Sequence, residues 1–112
     1  MPNDLRKYLK NQNIGFQQIE DLEMGLKDAD IIYAKGWGGI EMGAEEDLAY
    51  REKYRDWCLA KKHFDTANLN AMFMHALPVE RNREAMAEVV DGPMSVVYDQ
   101  AENRLHAQKG VM

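Results

Sequence analysis

The sequence has a single cysteine, Cys58, among its 112 residues. That excludes a disulfide framework within the chain and a multi-cysteine zinc site, and it fits a reducing compartment. Basic residues are outnumbered, with 14 Lys and Arg against 19 Asp and Glu and a net charge of -5. Such a balance does not suit a nucleic-acid binder, which needs a basic surface. No apolar run approaches the roughly 20 residues that cross a bilayer, so no membrane partner is expected. The start, Met1-Pro2-Asn3-Asp4, has neither the basic cap nor the apolar stretch of a secretory signal, and a cytoplasmic location is expected. Internal repeats, low-complexity tracts and linkers are also missing. What is present is a hydrophobic share of 46%, enough for the core of one domain or of part of a larger one.

Periodicity divides the chain into alternating elements. Leu5, Tyr8 and Leu9 share one face of a helix over the first dozen residues, with Pro2 in its first turn. Ile14 to Ile19 reads as a short strand, and Glu20 to Lys27 as a short helix. Ile31-Ile32-Tyr33-Ala34 is a compact apolar run, the pattern of a strand buried on both faces. Four glycines in the nine residues from Lys35 to Gly43 break regular structure. A long helix is expected over 45–62, with Tyr50, Tyr54, Trp57 and Cys58 on one face, and Asp65-Thr66 as the cap of a further turn. Met72-Phe73-Met74 is a second buried strand, stopped by Pro78. Glu84 to Val90 reads as a helix, Ser95 to Tyr98 as a fourth strand, and Asp99 with Glu102 as the capping box of a last helix. Short apolar strands separated by helices imply an α/β fold, a three-layer parallel sheet with flanking helices. Residues 1–112 are read as one domain.

Ligands of open parallel sheets bind beyond the carboxyl ends of the strands. That rule selects Lys35-Gly36-Trp37, His75-Ala76-Leu77-Pro78 and the first turns of the last helix, which carry Arg104. A lysine, a histidine and an arginine at one edge suit an anionic substrate such as a phosphate or carboxylate. Each has a plainer reading: Trp37 as a packing residue, His75 as a structural histidine, Lys35 as a solvated side chain. The methionines at 24, 42, 72, 74, 86 and 94 read as core filler and Cys58 as buried. No spacing suggests a metal site.

These segments also carry a family resemblance. Phe73-Met74-His75-Ala76-Leu77-Pro78-Val79-Glu80-Arg81-Asn82 resembles the His-Cys-Leu-Pro segment of the ornithine-type carbamoyltransferases. The stretch from Asp91 to Lys109, with Tyr98-Asp99-Gln100-Ala101-Glu102-Asn103-Arg104 at its centre, resembles that family's closing signature. Tyr33-Ala34-Lys35-Gly36-Trp37 is similar to the Tyr-Ala-Lys-Ser-Trp stretch of the N-acylornithine branch, and Leu77-Pro78-Val79-Glu80-Arg81-Asn82 to its Leu-Pro-x-x-Arg-Asn.

The resemblance implies an incomplete C-terminal, amino-acid-binding domain and a carbamoyltransferase as the whole enzyme. Carbamoyl phosphate would donate, and the δ-amine of ornithine or an N-acylornithine would accept, in arginine biosynthesis. It implies a homotrimer and neither metal nor organic cofactor. Arg104 would bind the carbonyl and phosphate side of carbamoyl phosphate, and His75 would shape the site. Ala76 and Leu77 would offer backbone carbonyls to the carbamoyl amino group, Lys35 would hold the amino substrate's carboxylate with Trp37 beside it, and Glu84 would lie near the phosphate. Ala76 departs from the family pattern, which has cysteine there. The family's Ser-Thr-Arg-Thr phosphate cradle and His-Pro-x-Gln segment are not among these residues, so they alone are expected to be inactive. A plain ornithine carbamoyltransferase and a non-catalytic remnant that keeps the fold are the alternatives.

Overall fold

The computed structural model describes residues 3–36 and 42–112. Its helices are α1 (Asn3–Asn11), α2 (Leu22–Leu26), α3 (Ala44–Lys53), α4 (Ala87–Val90) and α5 (Val97–Val111), and its strands β1 (Ile31–Ala34) and β2 (Met72–His75). A 3-10 turn spans Lys61–Asp65. The strands pair in parallel, from Ile31 beside Met72 to Ala34 beside His75. The fold is α/β with a parallel sheet and helices around it.

Strand alternation sets the core. Ile32, Ala34, Phe73 and His75 turn to the buried side, where they meet Leu59, Phe64, Ala85, Val89, Val90 and Val97. Phe73 is fully buried at its centre. Ile31, Tyr33 and Met72 point the other way and are exposed, so β1 is buried on one face rather than both. α1 buries nothing, and α5 buries Val97 alone. The radius of gyration, 15.7 Å, exceeds the about 13 Å of a closed domain of this length.

Several expected elements change form, each for a local reason. Ile14 to Ile19 makes no strand, and none of its apolar side chains is buried. The long helix stops at Lys53, because Leu59 is drawn into an extended bridge with Ala85: its N–H donates to Glu84 O at 3.1 Å, and Met86 N–H donates to its carbonyl at 2.7 Å. That bridge also keeps Glu84 and Ala85 out of a helix, so α4 starts at Ala87. Thr66 closes the 3-10 turn, its Oγ1 donating to His63 O at 3.0 Å, instead of opening a new one. The fourth strand contracts to one bridge, Ser95 beside Phe73, held by Phe73 N–H to Met94 O at 2.8 Å and Val96 N–H to Phe73 O at 3.0 Å. The chain then turns helical at Val97, two residues before Asp99, which lies inside the first turn where its charge favours the helix dipole.

Replacing Phe73 with alanine removes the side chain against which both helical segments and strands pack. Phe73→Ala is expected to cost ~3–5 kcal/mol in urea unfolding, whereas Leu69→Ala, at a 98% exposed position, stays within about 0.5 kcal/mol of the parent.

Candidate functional site

β1 and β2 run parallel, so the segments that follow them emerge side by side. β2 ends on His75, which is 4% exposed. Three of its polar atoms are taken in different directions. The backbone N–H donates to Gln100 Oε1 on α5 at 3.0 Å. Nδ1 accepts from the Leu77 N–H at 2.9 Å, so the ring proton sits on Nε2. Nε2 lies 3.0 Å from Glu84 Oε2 but off the line an aligned hydrogen bond requires. The Leu77 contact closes a sharp turn in which Leu77 takes φ 56°, a left-handed conformation uncommon for a branched residue, before a cis Leu77–Pro78 peptide.

Glu84 reaches the same place from below. It is 6% exposed, and its Oε2 also accepts from the Glu80 N–H at 3.2 Å. Its Oε1 lies against Gly36: a Cβ added there would stand 2.7 Å from it. A side chain at 36 would therefore require the end of the Glu84 side chain to shift. One buried carboxylate touches the segment after β1, the end of β2 and the 80–84 turn.

Above this pair opens a cavity of about 490 Å³, lined by Tyr33, Met74, His75, Ala76 and the residues of α5 from Gln100 to Ala107 that face it, among them Asn103 and Arg104. The helical repeat brings Gln100, Arg104 and Ala107 to one side of α5. Among the described residues that line it, Arg104 is the only one with a permanent charge and none is a carboxylate, although the chain carries 19 acidic residues. Such a cavity favours an anion.

The structure thus brings His75, Ala76 and Arg104 together. Lys35 follows β1 as an exposed residue and does not line the cavity, and Leu77 is half-buried beyond it. Glu84 sits behind His75 and does not face the cavity. Trp37 lies outside the described residues. Tyr33 and Gln100 were not singled out by sequence. The alternation that buries Ile32 and Ala34 puts Tyr33 on the other face, and Gln100 precedes Arg104 by one helical turn. Cys58 is half-buried, and burial pushes its thiol up, away from thiolate chemistry. Among the described residues no three His, Cys, Asp or Glu side chains are placed to hold a metal ion, and no helix is long and apolar enough to cross a membrane.

Comparison with known proteins gives these features a context. The family model of the aspartate/ornithine carbamoyltransferase Asp/Orn-binding domain matches residues 2–112. The ornithine carbamoyltransferase of Methanobrevibacter smithii is 39% identical over 111 residues, 98% of this chain and 36% of its own length. The structure of ornithine carbamoyltransferase from Pyrococcus furiosus superposes with a TM-score of 0.79 at 39% identity, covering 94% of this chain and 33% of that one. A variant N-acetyl-L-ornithine transcarbamylase, complexed with carbamyl phosphate and N-succinyl-L-norvaline, gives 0.81 at 30% identity, covering 96% and 32%. The chain spans about a third of the length of the relatives it matches.

Removing Glu84 tests its part as a buried tie. Glu84→Ala leaves the Glu80 N–H without its acceptor and His75 Nε2 facing a void, so a loss of ~1–3 kcal/mol in unfolding free energy is expected. An unchanged urea midpoint would show that the carboxylate ties nothing.

Proposed function

The chain belongs to the ornithine-type members of the aspartate/ornithine carbamoyltransferase family, as their Asp/Orn-binding domain, and on that premise we propose that the enzyme of which it forms this part carbamoylates an ornithine-type amine. The δ-amine nitrogen attacks the carbamoyl carbon of carbamoyl phosphate, the bond from that carbon to the phosphate oxygen breaks, the amine loses a proton, and a citrulline-type product and phosphate leave. The observation that carries this reading is the convergence of the β2 end and Arg104 on one cavity whose described lining has no carboxylate. Arg104 is proposed to hold the carbonyl and phosphate oxygens and to stabilise the oxyanion that develops at the tetrahedral stage. The carbonyls of Ala76 and Leu77 are proposed to receive the carbamoyl amino group, in a turn fixed by the Leu77 N–H bond to His75. His75 is proposed to shape that turn rather than exchange protons, since Nδ1 is occupied and Nε2 faces Glu84. Alignment of the two substrates supplies much of the remaining rate, and it needs the phosphate cradle that these residues do not include. A trimer with sites at subunit boundaries belongs to the same proposal.

Lys35 carries the finer proposal that the amino substrate is N-acylated. Acylation removes the α-ammonium and leaves the α-carboxylate as the ionic handle. An exposed lysine after β1 attracts that carboxylate and repels a free ammonium. Trp37, two residues on, is proposed to pack beside the same substrate. Glu84 was expected near the phosphate. Its burial behind His75 supports a supporting part instead. Free ornithine is the second reading, favoured by the higher identity to ornithine carbamoyltransferases, 39%, than to N-acetyl-L-ornithine transcarbamylase, 30%.

Two outcomes are expected of the whole enzyme. Arg104→Ala lowers kcat by on the order of 10²–10³, as for other oxyanion donors, and near-normal turnover would remove Arg104 from the chemistry. Comparing kcat/KM for acetylornithine, succinylornithine and ornithine is expected to favour the acylated amines, with the preference eroded about tenfold by Lys35→Ala, a change of ~1.4 kcal/mol. Preference for ornithine would establish the second reading.

A further inference from the structure

The cavity beside β2 contains a hydrogen-bond chain whose direction is fixed. A backbone N–H only donates, so the His75 N–H assigns the near atom of the Gln100 amide as oxygen. The amide nitrogen is thereby turned to Tyr33 and donates to Oη at 3.2 Å. Tyr33 is the acceptor of that bond, and its own O–H proton is not consumed by it. Among the described residues no protein group takes that proton.

Tyr33 lines the same cavity as Asn103 and Arg104 and is 54% exposed. A tyrosine on an open sheet face is ordinarily just solvated. Here its oxygen is held from one side by an amide that is itself held by the backbone of β2, and its free donor shares a concavity with a guanidinium and, among the described residues, no carboxylate. We infer that Tyr33 is an oxyanion-binding residue: its O–H donates to a phosphate or carboxylate oxygen that Arg104 also holds. Gln100 is the positioning residue that keeps the phenol an acceptor toward α5 and a donor toward the cavity. The inference rests on the anion-site reading of this cavity and adds to it a donor that the proposed chemistry does not use.

The test uses the 112-residue chain, with ¹³C at the tyrosine Cζ, titrated at low ionic strength with inorganic phosphate and separately with acetate. Saturable shifts are expected at the His75, Ala76 and Arg104 amides and at the Tyr33 Cζ, which reports the phenol becoming a donor. Tyr33→Phe weakens binding by about fivefold, in the range of one ordinary hydrogen bond at an exposed position. Gln100→Leu also weakens it, and the double variant is no weaker than Tyr33→Phe alone, since both act through one hydroxyl. The tighter of the two anions identifies the ligand group as phosphate or carboxylate. Binding that is lost in Arg104→Ala but unchanged in Tyr33→Phe would overturn the inference while leaving the anion cavity. No shift with either anion in the unsubstituted chain would overturn both.

Discussion

The end of β2 depends on how His75 is held. Its backbone N–H is fixed to α5 through Gln100, its Nδ1 to the Leu77 turn, and its Nε2 is set against the buried Glu84 carboxylate. Those contacts act on different parts of the chain. One docks the helix that carries Arg104, one bends Ala76 and Leu77 out of the sheet, and one couples the strand end to Gly36 and the 80–84 turn. Loss of His75 removes the acceptor of the Leu77 N–H and loss of Glu84 that of the Glu80 N–H, and a donor left unsatisfied costs more than a net hydrogen bond is worth. The site is thus built on a polar cluster underneath an apolar sheet, with Phe73 as the adjoining core residue.

The arrangement explains why an acidic chain keeps an anion-favouring cavity. Several of its carboxylates are directed elsewhere: Glu84 is turned inward, Glu80 and Asp47 meet Arg51 and Arg83, and Asp91 holds Arg81 in a two-bond pair at 2.9 and 2.8 Å. The Asp91 contact keeps the Arg81 guanidinium well above its usual range and lowers the Asp91 carboxyl. Arg104 is left facing the cavity, its charge not cancelled by any described acidic lining residue.

The core strands were legible because Ile31–Ala34 and Met72–His75 are short apolar runs bounded by breakers, and the structure keeps both. Ser95 to Tyr98 misled because β-branched Val96 and Val97 suit a strand, while Val97 is equally at home as the one buried residue of α5. The reach of α3 was overread because nothing local announces the Leu59–Ala85 bridge, a pairing across 26 positions. At the site, the strand-end rule located His75, Ala76 and Arg104 at one edge. It could not reveal that Glu84 lies behind His75 or that Gln100 and Tyr33 meet, because those contacts join residues far apart in the chain. Patterns of period see faces of elements, not which side chain closes a polar cluster between them.

The direct measurement of this account is the ¹⁵N spectrum of the His75 imidazole in the 112-residue chain. If the Leu77 N–H occupies Nδ1 and the Glu84 carboxylate flanks Nε2, Nδ1 appears as an unprotonated acceptor and Nε2 as the protonated nitrogen, with that single tautomer held. A proton on Nδ1, or two tautomers in fast exchange, would contradict the clustering of α5, the Leu77 turn and Glu84 around this residue.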